Sequence, residues 1–381
     1  MMTMKLCIFP NDPIIAYFEK GEIKPRYFNP KNFFNEIHII SFIDNDIDPS
    51  FVQTLVGDAT LTIHSLGKLN TLNLQKKKHD ALRLVKKIDP DVIRAYNSKL
   101  EGWIAAYCSK SIHKPLFVSI HSQYDGYRKL MKSKNLKKYL ILLYSKWIIE
   151  PFVLKNANKI TGVYKIIEPY VYGIIKKNPE ILYNKIDDQF YTKKIIKRDY
   201  KKPLILSISR LSLQKNHHIL IHSIKDLDVH LQIIGDGELR NELQSLVKQL
   251  DIENKVTFIK SVPNNKIKDY FNSADIFALA YDPEIEGVPI PVLEALASGM
   301  PIVIPKPKKD LSDGLDDCVL FADLKPKSFK EKFIQIIEDD KIREKLCHNA
   351  LLKSINFSID KIENREKAIY QELIDFSNTR V

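Results

Sequence analysis

Two glutamates eight positions apart, Glu286 and Glu294, lie in the segment Asp275 to Ile304, DIFALAYDPEIEGVPIPVLEALASGMPIVI. The pattern predicts a strand ending near Ala280, a loop carrying Glu286 and Gly287, and a short helix that opens at about Pro291 and closes at Gly299. Pro in the first turn and Gly just past the last are the favoured order. A helix N-terminus carries roughly half a positive charge and unbonded N–H groups, which suits a diphosphate. Carboxylates on either side can accept paired hydrogen bonds from sugar hydroxyls, each worth about 1.5–3 kcal/mol with a charged acceptor. Two glutamates at this spacing on a solvated face would be commonplace. These bracket a turn holding Gly287, Pro289 and Pro291, where a merely solvated pair has no reason to sit. The chemistry suits a nucleotide sugar.

A second set is SISRLSLQKN, Ser207 to Asn216, which follows an apolar run read as a strand. Arg210 and Lys215 on a post-strand loop are placed to clamp phosphate oxygens and to stabilise a departing diphosphate as its charge grows. Taken alone they fit a solvated loop pair equally well. The third element is Gly235-Asp236-Gly237 after the next strand. Missing side chains there let a ligand approach the backbone, and a plain turn would explain them as well. Metal chemistry is not indicated. Asp44, Asp46 and Asp48 alternate in a loop and read as a solvated turn, and the four cysteines are scattered without a C-x-x-C pair.

The elements that must position these groups follow from the alternation of short apolar runs with longer helical patterns, which predicts α/β architecture with parallel sheets. Strands are expected at Lys5 to Phe9, Glu36 to Phe42, Leu61 to His64, Val92 to Ala95, Leu116 to His121 and Lys159 to Val163. A second series runs Leu204 to Ser209, Leu231 to Gly235, Val256 to Lys260, Ile276 to Ala280, Pro301 to Pro305 and Cys318 to Phe321. Helices are expected at Leu72 to Ile88, Asn216 to Ser223, Glu238 to Leu250, Asn265 to Asn272, Val292 to Ala297 and Ile359 to Ile374. The proline-marked, charged stretch TKKIIKRDYKKP reads as a linker. The organisation expected is therefore two Rossmann-like, doubly wound domains facing across a cleft: residues 1–195, residues 196–358, and a terminal helix over 359–381.

At 381 residues the chain is long enough for two cores, and 44% hydrophobic with 28% charged residues excludes disordered and fibrous classes. Charge is one-sided. Residues 1–195 hold 31 basic and 18 acidic groups, a balance of +13; the remainder hold 28 and 29, a balance of −1. The first domain therefore suits a phosphorylated acceptor, a lipid-linked one, or an anionic membrane surface. Only 10 of the 59 basic residues are Arg, which disfavours nucleic acid as a partner. The densest stretch, Arg128 to Lys159, interleaves Lys with Tyr139, Tyr144 and Trp147. It fits an interfacial amphipathic helix or an ordinary helix whose apolar face packs on a sheet. The N-terminal residues are too polar for a signal peptide and no apolar run approaches 18 residues, so the expected location is cytoplasmic, at most peripheral at the inner face of the membrane.

From Leu204 to Ile304 the chain resembles the retaining glycosyltransferases of family four (group 1), which have the GT-B fold. Their strand-then-RL-x3-K loop, GDG turn and E-x7-E motif occur here in order, as Arg210-Leu211 with Lys215, Gly235 to Gly237, and Glu286 with Glu294. The resemblance implies that Arg210 and Lys215 hold the donor diphosphate, Glu286 the transferred sugar and Glu294 the ribose, with the base near Lys260 to Val262. The loop reads Glu286-Gly287-Val288-Pro289, similar to the family's E-G-x-P variant. Because Pro289 and Pro291 lack an N–H, amide contacts to the donor would come from Val288, Ile290 and Val292.

The first half is similar more loosely. His121, in VSIHSQYD, looks like the family's strand-end histidine facing the donor sugar, although a strand-end His is as often a structural hydrogen-bonder. EILYNKIDDQF resembles the segment before the second domain, with Lys185 in place of a glycine, and the family's N-terminal glycine-rich loop is reduced to Gly21. The implied activity is transfer of a UDP- or GDP-linked sugar to a glycan or lipid-linked acceptor with retained anomeric configuration, and the implied terminal helix crosses back to the first domain. No metal or other cofactor is expected. A sugar-nucleotide epimerase, or an inactive relative serving as a membrane or partner module, is the alternative.

Overall fold

Strands of a parallel sheet are covered on both faces, so they read as nearly continuous apolar runs, and these runs form two all-parallel sheets. The computed structural model describes residues 3–70, 72–191, 202–308 and 310–379. The first sheet contains β1 (Lys5–Phe9), β2 (Glu36–Ser41), β3 (Thr60–Ser65), β4 (Val92–Ala95), β5 (Leu116–Ile120), β6 (Lys159–Gly162) and β7 (Glu180–Ile181), in the order β3-β2-β1-β4-β5-β6-β7. The second contains β8 (Leu204–Ile208), β9 (His230–Ile234), β10 (Val256–Ile259), β11 (Ile276–Ala278), β12 (Ile302–Pro305) and β13 (Leu320–Ala322), in the order β10-β9-β8-β11-β12-β13. In each sheet the winding direction reverses once, between β1 and β4 and between β8 and β11. Loops leaving the carboxyl ends of the two strands beside such a reversal diverge to opposite faces and open a crevice, where ligands of open α/β sheets bind.

The chain forms two compact units, Met1–Tyr183 with Ile362–Val381, and Asn184–Lys361. The expected linker lies largely in residues 192–201, outside the described residues, as does a boundary at residue 195. Ahead of it, Phe190 packs edge-on against Phe271 at 5.6 Å and Ile186 bridges Ser358, so residues 184–191 already belong to the second unit.

In the first unit the core of β1, β2 and β4 is completed by Ile369, Tyr370 and Leu373 of the Ile359–Asn378 helix. The Tyr370 ring meets Phe34 at 4.9 Å and Phe117 at 5.4 Å. Ion pairs fix the same helix: Arg94 to Glu366 at 3.1 Å, Arg26 to Glu363 at 3.1 Å and Arg365 to Glu180 at 2.5 Å. Arg94 is buried and also donates to Ser119 Oγ at 2.7 Å, so its charge is balanced inside the core and not by water.

Two sequence expectations need correction. Asp46 is no solvated turn residue: its carboxylate accepts from Ile14 N at 2.9 Å and Ile15 N at 2.7 Å, while Asp48 caps the next short helix through Ser50 N at 2.8 Å. A carboxylate at a helix N-terminus satisfies donors that have no intrahelical partner. The second correction concerns Arg128 to Lys159. It forms the helices Tyr124–Lys134, Leu136–Tyr144 and Glu150–Asn156, the last two joined by a π turn at Ser145–Ile149, and the apolar residues of Leu136–Tyr144 do not pack on the sheet, since none is buried.

Candidate active site

The loops leaving β8 and β11 flank the reversal in the second sheet, and they are stitched together. Asp282 N donates to the Gln214 carbonyl at 2.7 Å, and Asn216 Nδ2 donates to the Ala280 carbonyl at 3.0 Å. Asp282 then closes its own turn, its carbonyl accepting from Ile285 N at 3.0 Å and Glu286 N at 3.1 Å. This backbone brings Lys215 Nζ to 2.5 Å from Glu286 Oε2, with side chains only 12% and 19% exposed. A cation from one loop and a carboxylate from the other thus meet at the crevice, partly withdrawn from water. Tyr281 lies beside them. Burial first, and then the Glu286 carboxylate, push its phenol well above the ordinary range.

Arg210 is three-quarters exposed and 3.6 Å from Glu238. An exposed pair at that distance contributes little stability, so Arg210 is held loosely and its guanidinium remains available to an anion. Lys260 is likewise exposed, 3.5 Å from Asp236, and Val262 is half-buried just beyond β10.

Gly235 and Gly237 serve the protein's own backbone. Both have positive φ, and a Cβ on Gly235 would meet the Ser209 carbonyl oxygen at 2.0 Å, one on Gly237 the Leu211 carbonyl oxygen at 2.3 Å. Leu211 N donates to the Asp236 carbonyl at 2.9 Å, so the turn lies flat against the loop that carries Arg210. These glycines therefore shape, from beneath, the loop that runs from Arg210 to Lys215. Gly235→Ala should destabilise the fold by roughly 1–3 kcal/mol, since both the conformation and the contact oppose a side chain. A urea midpoint equal to that of the unsubstituted chain would contradict this.

The Ile290–Ala297 helix begins after Pro289 with Pro291 in its first turn. Val292 N donates to the Pro289 carbonyl at 2.9 Å, which leaves Val288 and Ile290 as the turn's amide candidates for an anion. Gly287 gives the loop its passage between Glu286 and Val288. Glu294 is buried in the body of the helix, 6% exposed, and its carbonyl accepts from Ser298 N and Ser298 Oγ, each at 2.9 Å. A carboxylate so withdrawn requires strong hydrogen-bond donors.

His217 was not singled out in the sequence, where it reads as one more residue of an amphipathic helix. It lies buried beneath the Arg210–Lys215 loop with Nε2 3.0 Å from Ser209 Oγ. Burial, followed by the nearby Lys215 charge, lowers its pKa to about 3. The imidazole is neutral in the fold yet protonates near 6.5 when unfolded. Between those values the unfolded chain binds the extra proton, so stability is full above pH 6.5 and falls as the pH decreases. The loss should reach roughly 2 kcal/mol at pH 5, and His217→Gln should flatten the urea midpoint between pH 7 and pH 5. An equally steep profile in that variant would show that other groups govern it.

His121 belongs to the first unit, directly after β5. It is buried, its ring 5.7 Å from Tyr96, and its carbonyl accepts from Tyr164 Oη at 2.7 Å. Among the described residues nothing bonds its Nε2. Burial, with Arg94 second, lowers its pKa to about 4, so it is a neutral imidazole near pH 7. The structure places Arg210, Lys215, Glu286, Glu294, both glycines and Lys260 in the second unit, and His121 in the first.

Residues 188–352 match the family Glycosyl transferases group 1. Among curated proteins, the N-acetylgalactosamine-N,N'-diacetylbacillosaminyl-diphospho-undecaprenol 4-alpha-N-acetylgalactosaminyltransferase of Campylobacter jejuni is 32% identical over 197 residues, 50% of this chain and 53% of that protein. The alpha-monoglucosyldiacylglycerol synthase of Streptococcus pneumoniae is 23% identical over 242 residues, 58% of this chain and 53% of that one. The chain thus spans about half the length of these two relatives. Among solved structures, Anabaena Alr3699/HepE in complex with UDP and glucose superposes with a TM-score of 0.75 at 15% identity, covering 97% of this chain and 100% of the other. By its two parallel sheets and its likeness to the solved structures the chain has the GT-B fold, and its residues 188–352 are similar to the group 1 glycosyltransferases.

Proposed function

We propose that the chain is a retaining glycosyltransferase that moves a sugar from a nucleoside-diphosphate donor to a lipid-linked or otherwise phosphorylated acceptor. The observation that carries this reading is the Lys215–Glu286 contact at the reversal of the second sheet, with Arg210 on the same loop. Lys215 and Arg210 receive the diphosphate, with the amides of Val288 and Ile290 at the start of the Ile290–Ala297 helix. Glu286 takes the sugar hydroxyls, Glu294 the ribose, and the surface near Lys260 and Val262 the base. In the reaction the anomeric carbon parts from the diphosphate oxygen while the acceptor oxygen bonds the same face. The acceptor proton passes to the departing diphosphate. Arg210 and Lys215 stabilise the charge gathering there, which accelerates transfer only so far as it is stronger than in the ground state. No protein nucleophile and no metal enter these steps.

The second unit is the donor side and the first, with its +13 balance, the acceptor side. The Campylobacter relative is named for a diphospho-undecaprenol acceptor and the pneumococcal one for a diacylglycerol product, which supports a lipid-linked acceptor here. His121 is the neutral hydrogen-bonding group of that unit. The chain works in the cytoplasm, at the inner membrane face; no helix among the described residues is long and apolar enough to cross a membrane.

Thermal unfolding with UDP, GDP, ADP and their sugars tests the donor. A ligand specific to the folded state, at one hundred times its dissociation constant, adds about 2.7 kcal/mol of apparent stability. UDP compounds should raise the transition temperature most, because the solved neighbour was crystallised with UDP. A chain that responds to no nucleotide is not a donor-dependent transferase.

A further inference from the structure

Between Asp125 and Glu150 the chain carries no acid, while it carries Arg128 and six lysines: Lys129, Lys132, Lys134, Lys137, Lys138 and Lys146. Within the same stretch Leu136, Leu140, Ile141, Tyr144, Trp147 and Ile148 are 53–71% exposed. They are six of the sixteen large hydrophobic side chains exposed among the described residues, gathered into thirteen positions, whereas unrelated exposed hydrophobics are scattered singly. The spacing i, i+4, i+8, i+12 from Leu136 through Leu140 and Tyr144 to Ile148 places four of them along one side of a helix. The π turn at Ser145–Ile149 continues that helix and carries Trp147 at its outer surface.

The element is firmly rooted. Lys146 Nζ and Arg128 Nη2 share Asp125 Oδ1 at 2.7 and 2.9 Å, Arg128 Nη1 holds Glu150 Oε1 at 2.8 Å, and Tyr170 Oη donates to Glu150 Oε2 at 2.7 Å. Arg128, Ile149, Glu150 and Tyr170 are buried. The base of the helix is thus part of the first unit's interior, while its outer side is left exposed among the described residues. Over residues 136–149 the element is about 21 Å long at 1.5 Å per residue.

We propose that this helix docks the first unit on an anionic lipid bilayer, with Leu140, Tyr144, Trp147 and Ile148 entering the boundary between headgroups and acyl chains and the lysines lying against the lipid phosphates. Trp and Tyr favour that boundary because one end of each ring system is apolar and the other wet. The charge selects the occupant. A second copy of this face would set lysine against lysine, since Arg128 and Lys146 already engage Asp125 and Glu150 and no other acid lies in the stretch, whereas an anionic bilayer supplies the opposite sign and an apolar layer together. Insertion of this segment differs from electrostatic attraction of a basic unit, because part of the binding must survive salt that screens charge.

Sedimentation of the full chain with phosphatidylglycerol–phosphatidylcholine vesicles at low and at high salt tests it, with the tryptophan emission read alongside. Trp147 and Trp103 are the two tryptophans, and Trp103 is already stacked on Tyr107 at 6.2 Å. Vesicles should therefore shift the emission to the blue through Trp147, and Trp147→Phe should abolish the shift. Leu140→Ser with Ile148→Ser should weaken vesicle binding by about tenfold or more and remove the salt-resistant part. The thermal response to UDP should remain as in the parent, which also shows that the variant is folded. Binding abolished by salt and indifferent to the double variant would overturn insertion, as would a lipid-free dimer that buries Trp147. Because the nucleotide response is read on the same samples, a chain that binds nucleotide and no vesicle refutes docking alone. One that binds vesicles and no nucleotide refutes the donor reading alone.

Discussion

Glu286→Ala should reduce turnover by about 10²–10³ while leaving nucleotide affinity within a few-fold of the parent. A preorganised group aimed at the reacting centre carries effects of that size, whereas the diphosphate is proposed to rest on Lys215 and Arg210. The structure sets the direction of the small affinity change. In the parent, Lys215 is engaged by Glu286 at 2.5 Å, and a diphosphate must compete with that carboxylate. Removing it frees the ammonium, so UDP should bind equally well or somewhat more tightly. Measurement of kcat beside the UDP dissociation constant separates the effects. Parent-like turnover would remove Glu286 from the chemistry, and a large loss of UDP affinity would mean that it holds the nucleotide. Glu294→Ala should show the reverse pattern, weakening nucleotide binding itself.

Lys215→Ala should act on both quantities. Loss of the cation removes a charge-assisted contact to the diphosphate in the bound state and a stronger one as the leaving group develops charge, so kcat/KM should fall by about 10²–10³. It also strands the Glu286 carboxylate where water reaches it poorly, which should lower stability without ligand. The two effects are distinguishable. Addition of Glu286→Ala to the Lys215→Ala chain should recover stability and recover no activity. Coupling of that kind is expected for residues in contact and absent for independent ones. Additive stability losses in the double variant would show that the contact is not an energetic unit.

The strands were legible because parallel sheets impose a local signature. Lys5–Phe9 stops at Pro10 and Val92–Ala95 starts after Asp91, and both have the same limits in the structure and in the sequence reading. β7 has two residues, Glu180–Ile181, too few to carry any period, and was not anticipated. The charged groups of the site were legible by type and spacing. Their supports were not. Asn216 acts through an amide reaching Ala280, 64 positions away, and His217 through burial, neither of which leaves a local pattern. The Gly235–Gly237 turn was visible as a turn, yet the reason for its glycines, the carbonyls of Ser209 and Leu211, lies on another strand's loop. The stretch after Arg128 misleads for a different reason. Periodicity shows that a helix has an apolar side but not what that side meets, and here none of its residues is fully buried among the described residues.

The Ile359–Asn378 helix supplies Tyr370 to the core of the first unit, Glu363 to the half-buried Arg26 and Glu366 to the buried Arg94. During synthesis the ribosome makes residues 184–361 in the interval. The second unit can therefore reach its native state while the first still waits, its Arg94 lacking Glu366 and its Phe34 and Phe117 uncovered. For that interval the nascent first unit exposes apolar surface, and synthesis of the Ile359–Asn378 helix, more than any local propensity, sets the moment at which it matures.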